Sequence, residues 1–463
     1  MLFNSLQFLL FFAFVISLYY ALPHRPRWVL LLFASCYFYM VFIPEYILIL
    51  FGVILIDYAS AFLIEKNQGK QRKLFLALSL VTNIGILVYF KYYNFFLDSS
   101  NAVLHPFHLK SSLKHLEIIL PIGLSFHTFQ AMSYTLEVYR GNQKPEKHLG
   151  IYAVYVLFFP QLVAGPIERP QNLLHQFKRE IIFSRANLRS GLLLMAWGFF
   201  KKVVIADRLA EVVDQCYADV PGQSAGSMWL GVVFYSIQIY CDFSGYSDIA
   251  IGAAKTMGIN LMENFRNPYL STSVTEFWKR WHISLSSWFR DYVYIPLGGS
   301  RVATVKFCRN ILIVFLLSGL WHGANYTFII WGLIHAVFIL IEYFILRKRK
   351  QVHSFLLLTL RTIYVFFVTT LAWVFFRSAD LKQAMSILKK LFSFGNETFT
   401  TSMVPAEVIF SFVLIILLLA GEKRIKTFAV EKNRKYYATL ITLVVVCYIF
   451  GIFNYKQFIY FQF

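Results

Sequence analysis

From Phe3 to Leu22 the chain runs without a single charged residue. Apolar runs of the same kind recur at Trp28 to Ile43, Tyr46 to Ile64, Leu74 to Phe90, Leu149 to Ile167, Ile329 to Ile345, Leu356 to Phe376, Val408 to Leu419 and Tyr437 to Phe453. About 20 apolar residues in a helix cross the roughly 30 Å of hydrocarbon in a bilayer. In lipid, each backbone N–H and C=O must be satisfied within the segment, which a helix does and an open strand cannot. The runs therefore predict an all-α, polytopic integral membrane protein with about 10 to 12 transmembrane helices, plus re-entrant and interfacial helices. Composition agrees: 58% of residues are hydrophobic and 15% are charged, where a soluble domain carries about a quarter charged.

The first run lacks a basic start and a small-residue cleavage site, since it ends ISLYYALPHRP. It reads as a retained helix rather than a signal peptide. The net charge of +20 gathers in HRPR (24–27), EKNQGKQRK (65–73), RKRK (347–350) and EKRIKTFAVEKNRK (422–435). Basic loops stay in the cytoplasm, so both termini are expected outside a bacterial cytoplasmic (inner) membrane. The bland use of these charges is orientation and contact with membrane lipid; the sharper one is attraction of an anionic cytosolic substrate. No nucleic-acid partner is expected. The five cysteines, Cys36, Cys216, Cys241, Cys308 and Cys447, show no CxxC and no metal spacing, and neither a disulfide framework nor a metal is expected.

The chain is expected to form one membrane-embedded domain in three stretches. Residues 1–114 are plain hydrophobic hairpins, 115–346 are repeatedly broken by Gly, Pro, His, Asp and Arg, and 347–463 return to plain spans with an outer tail. ADLKQAMSILKKLF, from Ala379, has the spacing of an amphipathic surface helix. Broken helices at membrane depth are tolerated where protein or a water cavity lines them, which makes the middle stretch the catalytic core.

Five motifs stand out there. In LPIGLSFHTFQAMSYTLEVYRG (120–141), His127, Gln130, Ser133, Tyr134 and Glu137 fall near one helical face; they are interhelical hydrogen-bonding groups or the lining of a polar cavity. FFPQLVAGPIERP (158–170) ends a span in a shaped turn. YCDFSGYSDIAIGAAKTMG (240–258) puts Asp242, Ser244, Ser247 and Asp248 within a span, where charge is costly unless paired; a partner is expected among the Arg and Lys residues of the fourth motif. That motif is EFWKRWHISLSSWFRDYVYIPLGG (276–299). As one helix from Thr275 to Arg290 it puts Trp278, His282 and Leu285 on one face, with Lys279, Arg280, Arg290 and Asp291 supplying charge. Alone, a histidine such as His282 is more often a packed, hydrogen-bonded core residue than a catalyst. The fifth is ILIVFLLSGLWHGANYTFIIWGLIHA (311–336). A helix rising about 1.5 Å per residue from Ile311 carries His322 roughly 17 Å up, near mid-membrane, with a break at Gly319, Gly323 and Asn325. An intramembrane histidine is a functional candidate, and a neutral imidazole can take a proton from a hydroxyl.

These five motifs, in this order, resemble the membrane-bound O-acyltransferases. Within that family the continuation YIPLGGSR is similar to the branch that acetylates polysaccharides, alginate and peptidoglycan among them. The D-alanyl-transferring teichoic-acid branch shares RWHISLS and WHG but lacks this continuation. The resemblance implies His322 as the catalytic histidine and His282 as the second active-site residue. Asp242, Ser244, Asp248, Arg290, Asp291, Asn325 and His127 would then be supporting polar groups. It implies acetyl-CoA as a cytosolic acyl donor, drawn in by basic residues such as Lys279, Arg280 and Arg301. It also implies a polysaccharide acceptor reached indirectly, through a periplasmic or extracellular SGNH-type acetyltransferase. The alternatives are D-alanyl transfer to teichoic acid, a proton-relay transporter or flippase, and a non-catalytic scaffold.

FIYFQF (458–463) is either an aromatic anchor in the headgroup layer or something more specific. Its F-x-Y-F-x-F pattern resembles the C-terminal motif of the small partner in teichoic-acid D-alanylation. That resemblance implies Tyr460 as an acyl carrier fused to the enzyme.

Overall fold

The computed structural model describes residues 1–108, 111, 113–117, 119–346, 354–393, 395, 397–428, 433–453 and 458–459. Among them all regular secondary structure is helical. Among the described residues six helices are long and apolar enough to cross a membrane: Tyr46–Lys66, Gly69–Phe107, Thr304–His322, Tyr326–Ile345, Phe355–Arg377 and Pro405–Glu422. Two other expected spans, Leu6–Ala21 and Arg27–Met40, are apolar but at 1.5 Å per residue rise only about 24 and 21 Å, short of the roughly 30 Å core. The chain separates into two compact units. The first contains Met1–Leu192 and Ile249–Met262, the second Leu193–Asp248 and Glu263–Phe463.

In the first unit, helices Tyr46–Lys66, Gly69–Leu87 and Leu124–Arg140 pack on one another. A buried carboxylate ties two of them: Asp57 accepts from Ser79 Oγ at 2.6 Å and from Asn83 Nδ2 at 2.9 Å. The 158–170 motif is a buried turn, as its three prolines require. Glu168 there is fully buried and takes the Asn172 amide at 2.6 Å. The second unit holds the large aromatic core, in which Trp281, Trp331, Trp373, Tyr235 and Tyr240 are fully buried. Leu381–Leu391 is the expected amphipathic helix: Asp380 caps it by accepting from Gln383 N–H, and Ala384, Ile387 and Leu391 form its buried side.

Two departures from sequence expectation shape the second unit. The single helix expected from Thr275 to Arg290 is two short ones, Val274–Arg280 and Ile283–Phe289. Between them His282 adopts a left-handed backbone, φ 44°, which is uncommon for a non-glycine residue. The break is held by pairing with residues 264–266: Arg266 N–H donates to Arg280 C=O and Ile283 N–H to Asn264 C=O, both at 2.9 Å. Those bonds replace helical ones, so Trp278 and His282 no longer share a face. The second departure is the helix carrying His322. It begins at Thr304 rather than Ile311 and ends at His322 itself. The histidine therefore sits about 27 Å along the axis from the first residue, at a helix end.

Candidate active site

Helices Thr304–His322 and Tyr326–Leu346 pack backbone to backbone. A Cβ on Gly319 would lie 2.3 Å from the Phe328 carbonyl oxygen, and one on Gly332 would lie 2.3 Å from that of Phe315. Only glycine permits this approach. It brings Trp331 against His322, ring centroids 5.0 Å apart and nearly perpendicular. Phe376 closes on His322 at 5.2 Å and Trp321 at 4.9 Å. His322 is 4% exposed: an imidazole at a helix end, walled by aromatic rings that exclude water.

His282 is fully buried and lies across the same Trp321 ring, 6.0 Å from it. Its Nδ1 is 3.2 Å from Asn264 Oδ1. That oxygen also takes the Ser284 N–H and hydroxyl, at 3.3 and 2.9 Å, so it is the acceptor and Nδ1 carries the hydrogen. The tautomer is thereby set, with Nε2 left as the acceptor nitrogen. Burial drives the pKa of this imidazole down to about 3, which keeps it neutral at ordinary pH. His282 and His322 thus both contact the Trp321 indole.

Asp242 and Asp248 do find buried cations, but not in the fourth motif. Their partners are two lysines on a π-helical turn, Phe200–Ala206. Lys202 Nζ is 2.6 Å from Asp242 and 2.9 Å from Asp207. Lys201 Nζ is 2.5 Å from Asp248 and 3.8 Å from Glu422, and donates to Ser244 Oγ at 3.0 Å. Gly245 makes the approach possible, since a Cβ there would lie 2.8 Å from the Gly198 carbonyl oxygen. Sequence reading overlooked these lysines, although the signal was present: FFKK interrupts an apolar run, and a charge in such a run needs a partner.

The same turn receives the C-terminal segment. Ile452 N–H donates to Val203 C=O at 2.8 Å, and Ile459 N–H donates to the Asp242 carboxylate at 2.8 Å. Phe458, 2% exposed, packs 5.7 Å from Phe243 and 4.8 Å from Tyr246. Phe243 in turn stacks edge-on to His282 at 4.6 Å. Tyr460 lies outside the described residues.

The helix that ends at His322 also lines a cavity of about 570 Å³. Trp278, Leu285, Phe307, Ile311 and Phe315 give it apolar walls, with Ser318, one turn before His322, among its lining residues. Lys279 and Arg290 add cationic groups.

The other candidates are placed differently. Arg280 is 2.5 Å from Glu276; despite partial burial, hydrogen bonds from Thr272 and Arg280 hold the Glu276 carboxyl below its usual range. Arg301 is exposed and does not line the cavity. Arg290 is largely exposed and is 2.8 Å from Asp291, so this pair belongs to the cavity side rather than to a buried polar core. Asn325 caps a turn, accepting from Thr327 N–H and donating to Ala379 C=O. His127 is buried in the first unit, 6.0 Å from the Tyr39 ring.

Two buried histidines in contact with one indole, a largely apolar cavity lined from the same helix as His322 and a set of membrane-length helices make this the candidate site for group transfer. Residues 147–380 match the membrane-bound O-acyltransferase family. The chain is 40% identical to the probable alginate O-acetylase of Azotobacter vinelandii over 90% of its own length and 84% of that protein's. It is 36% identical to the peptidoglycan O-acetyltransferase of Helicobacter pylori, over 81% of this chain and 75% of that one. Similarity to the teichoic acid D-alanyltransferase of Bacillus subtilis is 30% over 47% of this chain. The chain belongs to the membrane-bound O-acyltransferase family and is an acyltransferase.

Proposed function

We propose that this protein transfers an acetyl group from cytosolic acetyl-CoA, through a single membrane-embedded domain of the bacterial inner membrane, toward O-acetylation of an extracytoplasmic polysaccharide. The observation that carries the reading is the aromatic-walled His322 at the end of a helix that also lines an apolar cavity, with Phe458 and Ile459 docked on the Asp242–Phe243 stretch beside His282. A cavity of 300–1,000 Å³ suits a small-molecule arm, and Lys279 and Arg290 favour a polyanionic coenzyme at its mouth. The relatives named for alginate and peptidoglycan acetylation cover most of the chain, whereas those named for D-alanyl transfer cover about half. That difference favours acetyl over D-alanyl.

In the proposed step His322 accepts the proton of an acceptor hydroxyl as its oxygen attacks the thioester carbonyl. The C–S bond breaks, the acetyl ester forms, and the imidazolium returns the proton to the departing thiolate. His282, through its Nε2 side, orients the reacting groups. The acceptor is the Tyr460 phenol: the two residues before it are held by Asp242, Phe243 and Tyr246, close to His282. A phenol, with pKa near 10, ionises more readily than a sugar alcohol, and its ester is a better leaving group. An external SGNH-type acetyltransferase would then carry the acetyl group to the polymer.

General-base help contributes about 10² to 10⁴ in rate. Membranes carrying His322→Ala should lose polymer acetylation by at least that factor, at normal protein level and normal polymer export. Retained turnover would remove His322 from the chemistry, and blocked export would favour a transporter or scaffold.

A further inference from the structure

A third histidine, His335, is fully buried on helix Tyr326–Leu346, one turn beyond Trp331. Its ring packs 5.0 Å from that of Trp278 and 5.2 Å from that of Trp331, which are 5.6 Å from each other. Neither of its nitrogens has a hydrogen-bond partner among the described residues, and neither do the indole N–H groups of Trp278 and Trp331. Each buried polar atom left unsatisfied costs about 1–3 kcal/mol, and native proteins seldom leave several together. Phenylalanine at these positions would pack without that penalty. The three rings also form a chain of contacts from the cavity wall to His322. Trp278 lines the cavity, as does Ile339, one turn beyond His335, and Trp331 touches His322.

The unmet atoms set what a ligand at this cluster must offer. An indole only donates, while a neutral imidazole donates through one nitrogen and accepts through the other. An alkyl chain satisfies none of them. A carboxylate or phosphate offers acceptors but no donor, and would carry charge into an aromatic pocket. A secondary amide supplies an acceptor oxygen and a donor N–H without charge. We propose that His335, Trp278 and Trp331 form a subsite for a secondary amide in the thiol arm of the acyl donor, setting the depth at which the thioester meets His322. This rests on the donor reading above.

The test uses the full-length enzyme in detergent, reading free-thiol release. Acetyl-CoA is compared with two minimal donors, S-acetyl-N-acetylcysteamine and O,S-diacetyl-2-mercaptoethanol, which differ only in an amide N–H replaced by an ester oxygen. One net hydrogen bond predicts that wild type prefers the amide by about 2- to 10-fold in kcat/KM. His335→Phe, which keeps the ring packing, should bring the preference to about 1 and raise KM for acetyl-CoA. His335→Gln, which keeps a donor and an acceptor, should retain part of it and serves if the Phe variant does not fold. Equal use of the two thioesters by wild type, or an unchanged preference in His335→Phe, overturns the subsite while leaving the donor reading intact. No thiol release from acetyl-CoA by wild type overturns both.

Discussion

At the scale of single residues, the site depends on a neutral, oriented imidazole at His282. His282 is held by Asn264 with its Nδ1–H directed at the amide oxygen, and burial lowers its pKa to about 3 against an ordinary 6.5. Between these values the unfolded chain binds a proton that the folded one does not. Stability should therefore be complete above about pH 6.5 and decline as pH falls toward 3, by up to about 1.4 kcal/mol per pH unit. His282→Gln removes this term. Its thermal midpoint in detergent should fall less steeply over that window than that of the wild type, and parallel curves would show that another group sets the acid limit. His322 and His282 were legible as candidates because tryptophan, histidine and glycine cluster around each in an otherwise apolar chain. Their shared contact with the Trp321 indole was not, since they are 40 positions apart in the chain and only packing decides which ring both meet.

Among the structural elements, the glycine contact and the C-terminal segment matter most. Gly319→Ala pushes a methyl to 2.3 Å from the Phe328 carbonyl. Overpacking of this kind costs about 1–3 kcal/mol, and because His322 ends that helix, activity should drop further than a thermal shift in detergent accounts for. Normal activity at a lowered midpoint would show that the helix contact and the reaction centre are independent. The tail prediction is separate. Tyr460→Phe removes one oxygen and leaves the Ile459 and Phe458 anchors in place. Polymer acetylation in cells should fall to background, and a normal acetyl content would reduce the tail to an aromatic anchor. The shaped turn at 158–170 and the amphipathic Leu381–Leu391 helix were readable from proline spacing and apolar periodicity. The break at His282 was not: residues 264–266 impose it through backbone pairing, which leaves no periodicity in the 276–299 motif.

For the whole molecule, the prediction concerns sidedness. The basic loops at 24–27 and 65–73 point to a cytoplasmic face, and the cavity bearing Lys279 and Arg290 should open there. Inside-out vesicles should consume radiolabelled acetyl-CoA, and sealed right-side-out vesicles should not; the reverse would invert the topology. The helical membrane class followed from the sequence alone, because hydrocarbon leaves an apolar chain almost no other way to satisfy its backbone. The motifs that carry the family resemblance were likewise legible, being runs of chemically distinctive residues. What tertiary structure alone decided is which distant groups meet. It joined Lys201 and Lys202 to Asp248 and Asp242, brought Ile459 onto Asp242, and closed Trp278, Trp331 and His335 into one cluster that touches both the cavity and His322. Local spacing encodes which face of a helix is apolar; it does not encode which helix that face will meet, because that depends on the summed packing of the whole core.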